Sequence, residues 1–171
     1  MRNVQLEHAQ HRPAAALRPL RLLVHDLELA ANVGTLFRIA DALGVERLHL
    51  TGTTPRPPDA RLRKAARSTD AHVAWERGDD PLAVVAALRA GGWRVVSLEL
   101  TTASVDVRRF AVAPGDKLCL VLGAEATGVA QALLDASDAT VHVPMRGHNS
   151  SMNVASAAAI ALFELSRQYP D

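Results

Sequence analysis

Apolar residues fall in short runs rich in leucine and valine at 20–27 (LRLLVHDL), 45–52, 93–100, 117–123 and 139–145, with a weaker run at 71–76. Runs of this length, bounded by polar residues and glycine, predict strands. Between them, 32–44, 81–92, 128–137 and 151–168 carry apolar residues at helical spacing. Strand–helix alternation predicts an α/β fold with a mostly parallel sheet flanked by helices, whose ligands gather beyond the carboxyl ends of the strands. The proline-rich TTPRPPDAR (53–61) reads as an exposed loop. Residues 1–19 read as a tail or short leading segment, and 20–171 as one domain.

With 171 residues and 49% hydrophobic content, the chain is long enough to bury a core. No apolar run reaches the roughly 18 residues of a membrane span, and no signal-peptide core opens the sequence, so a cytoplasmic protein is expected. The single Cys119 lies within a predicted strand, which excludes a disulfide framework and a zinc-type cysteine spacing; no metal is expected.

The net charge of +1 conceals a split. Residues 1–67 hold 11 lysines and arginines against 6 acids, and the remainder 8 against 12. The densest basic run holds Arg56, Arg61, Arg63, Lys64 and Arg67. Such a run suits a solvated helix or loop face, or contact with a polyanion. An aromatic content of 4% argues against base-stacking platforms.

Three polar segments follow predicted strands. In NVGTLFRIADALGV, Asn32 is placed to cap a helix whose face Arg38 and Asp41 share. Backbone N–H groups and a guanidinium near a helix start can hold a phosphate. In LVLGAEATGV, Gly123, Glu125 and Gly128 form a turn unlike the dinucleotide fingerprint, with Glu125 expected near the positive end of the following helix. In VPMRGHNSSMNVA, Ser150 or Ser151 would cap the last helix, but capping leaves Asn153 and the length of the polar run unexplained. His148 reads as an exposed loop residue. The small face of Ala155, Ala157, Ala158 and Ala161 suits close core packing or a second helix across a dimer.

In their order and spacing, these segments resemble the SpoU/TrmH-type RNA ribose 2′-O-methyltransferases of the SPOUT superfamily. The first motif matches Asn32, Arg38 and ADALGV; the second Gly123, Glu125 and Gly128; the third Pro144, Met145, Gly147, Ser151, Met152 and Asn153. The match runs over residues 20–168, nearly the whole chain. The resemblance implies a C-terminal deep trefoil knot, a homodimer, and methyl transfer from S-adenosylmethionine to a ribose 2′-hydroxyl of tRNA or rRNA; with no large N-terminal RNA-capturing domain in the sequence, tRNA is expected over rRNA. It implies cofactor contacts near Leu100, Thr101, Gly123, Val143, Met145 and Met152, and a catalytic arginine at Arg38. Asn32, Glu125, Ser151 and Asn153 would orient the reacting groups, and the basic run of 56–67 would meet RNA.

The chain departs from the family pattern at Met152 and Ala155, and at Thr69, Asp70 and Ala71, where many relatives carry a glycine-alanine pair. That last change bears on RNA contacts more than on chemistry. Two other functions remain open at this point: a non-catalytic RNA-binding relative of the same fold, and a nucleotide-binding α/β protein taking NAD or ATP.

Overall fold

Each long apolar run becomes a strand in the computed structural model, which describes residues 3–5, 7, 10, 12 and 16–170. The strands are β1 (Arg18–His25), β2 (Val45–Thr51), β3 (Trp75–Gly78), β4 (Trp93–Leu98), β5 (Val105–Asp106), β6 (Lys117–Leu122) and β7 (Ala139–His142). They form one sheet in the order β3-β2-β1-β6-β4-β7-β5, with every pairing parallel. β6 lies at the centre, and Leu118 to Leu122 are all buried, as expected of a strand covered on both faces. β7 enters between β4 and β5 although it is the last strand of the chain.

The helices are α1 (Ala30–Leu43), α2 (Ala60–Ala66), α3 (Pro81–Ala90), α4 (Gln131–Ala136) and α5 (Val154–Ser166). Strand alternation divides the core in two. Leu20, Leu22 and Val24 point to a layer with Phe37 of α1, Leu62 of α2 and Leu162 of α5. Leu23, Val95, Cys119 and Val121 meet Val85 and Leu88 of α3 and Leu133 of α4 on the other face. α3 begins at Pro81, behind an Asp80 cap whose Oδ1 accepts the Leu82 N–H at 2.9 Å. α1 ends at Gly44, whose φ of 68° closes the helix in the left-handed region.

Several expectations change. The run at 71–76 is displaced: Thr69–Ala71 is a 3-10 turn, Val73 drops into the core, and β3 begins only at Trp75. The proline-rich loop ends sooner than expected because Asp59 caps α2, accepting the N–H groups of Arg61 at 2.8 Å and Leu62 at 2.9 Å. The leading segment 1–19 lies partly outside the described residues, and β1 already begins at Arg18. On α5, Ala155, Ala158 and Ala161 are buried within this chain. The exposed apolar residues of that helix are instead Ile160 and Phe163, 46% and 61% exposed. Among the described residues, no helix is long and apolar enough to cross a membrane.

Candidate functional site

The carboxyl ends of β4, β6 and β7 open into a cavity of about 720 Å³, closed by the 143–153 segment and the start of α1. All three sequence motifs send residues to it: Asn32; Gly123, Glu125 and Gly128; and Met145, Ser151, Met152 and Asn153.

A chain of hydrogen bonds joins the motifs. Asn153 Oδ1 accepts the N–H groups of Ala155 at 3.0 Å and Ser156 at 3.2 Å, so Asn153 is the cap of α5. Its Nδ2 donates to Asn32 Oδ1 at 3.0 Å, and Asn32 Nδ2 donates in turn to Glu125 Oε1 at 3.0 Å. Glu125 also accepts the N–H groups of Glu28 at 3.1 Å and Leu29 at 3.2 Å, ahead of α1.

These bonds correct three expectations. Asn32 does not cap α1: the helix begins two residues earlier, at Ala30, and Leu29 holds the cap position without a side-chain bond. Ser150 and Ser151 precede the true cap of α5. Glu125 serves the amino end of α1, not that of the following α4, by accepting the two N–H groups of the residues just before the helix. Burial works to raise the pKa of Glu125, but the bonds from Asn32, Glu28 and Leu29 outweigh it and hold the carboxyl below its ordinary range.

Both motif glycines are required by the turn itself. A Cβ on Gly123 would lie 2.1 Å from Gly128 O, and the turn is closed by Ala124 N–H to Gly128 O at 3.1 Å and Gly128 N–H to Ala124 O at 2.9 Å. Gly128 has a φ of 70°, and a Cβ there would meet Glu99 Oε2 at 2.2 Å.

Of the six positions that the resemblance linked to the cofactor, Leu100, Gly123, Val143, Met145 and Met152 line the cavity. Thr101 does not: its N–H turns to Ser104 Oγ at 3.0 Å. Arg38 also lies outside, six residues beyond Asn32 and therefore about 9 Å along α1. It is exposed, with no ion pair to Asp41 or other partner among the described residues. Arg56, Arg61, Arg63, Lys64 and Arg67 are all exposed on and around α2, away from the cavity. Arg63 reaches Asp70 at 3.5 Å. α2 is held against α1 by close approach at Gly34, where a Cβ would stand 2.4 Å from Leu62 O.

Glu99 and His142 line the cavity as well, and neither belongs to a motif. A carboxylate directly after an apolar strand is the only sequence signal for Glu99. Among the described residues, Glu99 and Glu125 are the carboxylates of the lining, which holds no lysine or arginine. His142 Nδ1 is engaged by Ser104 Oγ at 2.9 Å. A cavity with this charge favours a cation and disfavours a pyrophosphate. Among the described residues, no cluster of three or more metal-ligating side chains occurs.

A second cavity, about 510 Å³, lies under α3 and is lined by Arg21, His49, Glu76 and Trp93 among others; it receives none of the motif residues.

Comparison with known proteins adds to this geometry. The sequence profile of the SpoU rRNA Methylase family matches residues 19–163. The 23S rRNA (guanosine(2553)-2′-O)-methyltransferase RlmP of Bacillus subtilis is 29% identical over 163 residues, covering 94% of this chain, which spans only 64% of that protein. An AdoMet-bound rRNA methyltransferase from Sinorhizobium meliloti superposes with a TM-score of 0.82 at 27% identity, over 89% of this chain and 57% of that one. A structure described by its insights into 2-OH methylation of C/U34 on tRNA gives a TM-score of 0.76 at 28% identity, over 88% of this chain and 97% of that one.

Proposed function

This chain belongs to the SpoU rRNA Methylase family, and on that premise we propose that it methylates a ribose 2′-hydroxyl of RNA using S-adenosylmethionine. The observation that carries the reading is the hydrogen-bonded line from Asn153 through Asn32 to Glu125, which brings the three family motifs to one cavity. The lining suits the cofactor. Gly123 and Gly128 keep the turn compact, Leu98, Val143 and Met145 give apolar contact, and carboxylates without a lysine or arginine favour a sulfonium. The same charge argues against NAD or ATP.

When bound, the cofactor supplies a methyl group already activated for attack, so the chain's task is to orient the hydroxyl and ease its deprotonation. Ser151 and Asn153, at the mouth, are assigned to orienting the ribose. A guanidinium is a poor proton acceptor; Arg38 is assigned to grip the target phosphate and stabilise negative charge on the 2′-oxygen. Because Arg38 lies outside the cavity of its own chain, the reading includes a homodimer in which Arg38 of one subunit completes the site of the other. Exposed Ile160 and Phe163 on α5 and Leu29 at the cavity rim support such an interface. The trefoil knot belongs to the same proposal, supported by the entry of β7 between β4 and β5.

RNA is assigned to the exposed basic run on α2. tRNA is the favoured substrate, supported by the tRNA-modifying neighbour that this chain matches over 97% of its length. The test is methyl transfer from labelled S-adenosylmethionine to unmodified tRNA and, separately, to unmodified rRNA, followed by nucleoside mass spectrometry. A 2′-O-methylnucleoside in the tRNA pool is the expected result. Product only in rRNA would refute the substrate, and cofactor binding without transfer to either would favour a non-catalytic RNA-binding relative.

A further inference from the structure

Two carboxylates face the cavity, and their surroundings differ. Glu125 is surrounded by donors: the side-chain amide of Asn32, the N–H groups of Glu28 and Leu29, and the positive end of a 14-residue helix. Glu99 receives one backbone N–H on each oxygen, Leu100 to Oε1 at 2.8 Å and Val129 to Oε2 at 3.0 Å. Among the described residues it has no side-chain donor and no cation, and each oxygen keeps accepting capacity. It also rests against Gly128, whose lack of a Cβ leaves room for it. Glu99 is therefore the less compensated negative charge of the cavity.

Resting on the proposed use of S-adenosylmethionine, we infer that Glu99 is a specificity-determining residue through which the site distinguishes the charged cofactor from its spent form. In transfer, the ribose oxygen forms a bond to the methyl carbon as the carbon–sulfur bond breaks. The bonding pair stays on sulfur, the hydroxyl proton leaves to solvent, and the sulfonium becomes a neutral thioether. The cavity thus loses a positive charge at each turnover while Glu99 keeps its own. A carboxylate with only two backbone donors in a partly enclosed cavity attracts the cation and gives the neutral product no matching gain. The charge difference favours release of S-adenosylhomocysteine and reloading with S-adenosylmethionine, a preference that apolar and main-chain contacts common to both ligands do not supply.

The test is calorimetric titration with S-adenosylmethionine, S-adenosylhomocysteine and sinefungin, a cofactor analogue bearing an ammonium in place of the sulfonium. It is run on the wild-type protein, Glu99→Gln and Glu99→Asp, with thermal unfolding to confirm that each is folded. Glu99→Gln should weaken both cationic ligands about tenfold and change the affinity for S-adenosylhomocysteine less than about twofold. Glu99→Asp, which retains the charge, should keep the preference for the cations. Equal weakening of all three ligands by Glu99→Gln would overturn the inference and reduce Glu99 to a tie between Leu100 and Val129. Failure of the wild-type protein to bind any of the three would instead overturn the cofactor reading on which the inference rests.

Discussion

Asn153 donates to Asn32 at 3.0 Å across 121 residues of sequence, while the other atom of the same amide caps α5. One side chain thus starts a helix and fastens it to the amino end of another. Asn153→Ala should lose a cap worth about 1 kcal/mol, together with the link to Asn32. Asn153→Asp keeps the cap but sets a carboxylate against Asn32 Oδ1, so it should also be less stable than the wild type. A double-mutant cycle with Asn32→Ala, read by urea denaturation, should show coupling; additivity within about 0.5 kcal/mol would mean the bond between the two amides carries no energy.

Gly34→Ala should destabilise the protein even though alanine is the better helix former by about 1 kcal/mol. Its Cβ would meet Leu62 O at 2.4 Å and Ala65 Cβ at 2.7 Å, forcing α1 and α2 apart. Overpacking of this kind costs about 1–3 kcal/mol. A rise in the denaturation midpoint would show that α2 yields without cost.

Arg38→Ala should leave stability within about 0.5 kcal/mol of the wild type, because the side chain is exposed and has no partner among the described residues. Cofactor affinity should stay near the wild-type value while methyl transfer is abolished. Arg38→Lys should not restore the rate, since an ammonium lacks the bidentate grip on phosphate. Unchanged turnover in Arg38→Ala would remove the arginine from the reaction.

Replacing Arg56, Arg61 and Lys64 together by alanine should weaken RNA binding and make it less sensitive to salt. The slope of log affinity against log salt should fall by about 0.7–0.9 for each phosphate that the variant no longer neutralises. Calorimetry should find cofactor binding unchanged, because none of the three residues lines the cavity. An unaltered slope would place the RNA elsewhere.

Acid should destabilise the fold through His49, which is 3% exposed and has Nδ1 2.7 Å from Glu76 Oε1. Burial holds its pKa below the ordinary 6.5, in spite of the opposing pull of Glu76. The unfolded chain therefore takes up the proton first, and stability is lost as pH falls from about 6.5 toward the lower folded-state value. Urea midpoints measured between pH 7.5 and 5 should decline, and His49→Gln should flatten the upper part of that decline. Equal slopes in the two proteins would assign the loss to carboxylates such as Asp26 and Asp116, whose lowered pKa values act in a more acidic range.

The parallel sheet could be read from sequence because its central strands are long and buried on both faces; KLCLVL admits few other readings. Short elements escaped the same reading. β5 is two residues long, and α2 is seven, following a proline-rich stretch. The motifs located the cavity, but the bonding within it was not legible. Asparagine is equally suited to capping a helix and to bridging side chains, and only the arrival of Glu125 from a distant turn decides that Asn32 bridges. Glu99 escaped because a single acid after a strand has no spacing pattern to mark it.

The position of β7 also decides how much of the chain must be in place before the cavity exists. β5 is made well before β7 yet reaches the sheet only through it, and Leu29 at the start of α1 lines a cavity that also needs Ala157. β1 pairs with β2 without any part of α5, but the cavity wall includes Val154 and Ala157 of that helix. The cavity therefore depends on the last helix, and a chain cut before Val154 would keep most of the sheet and lose the site.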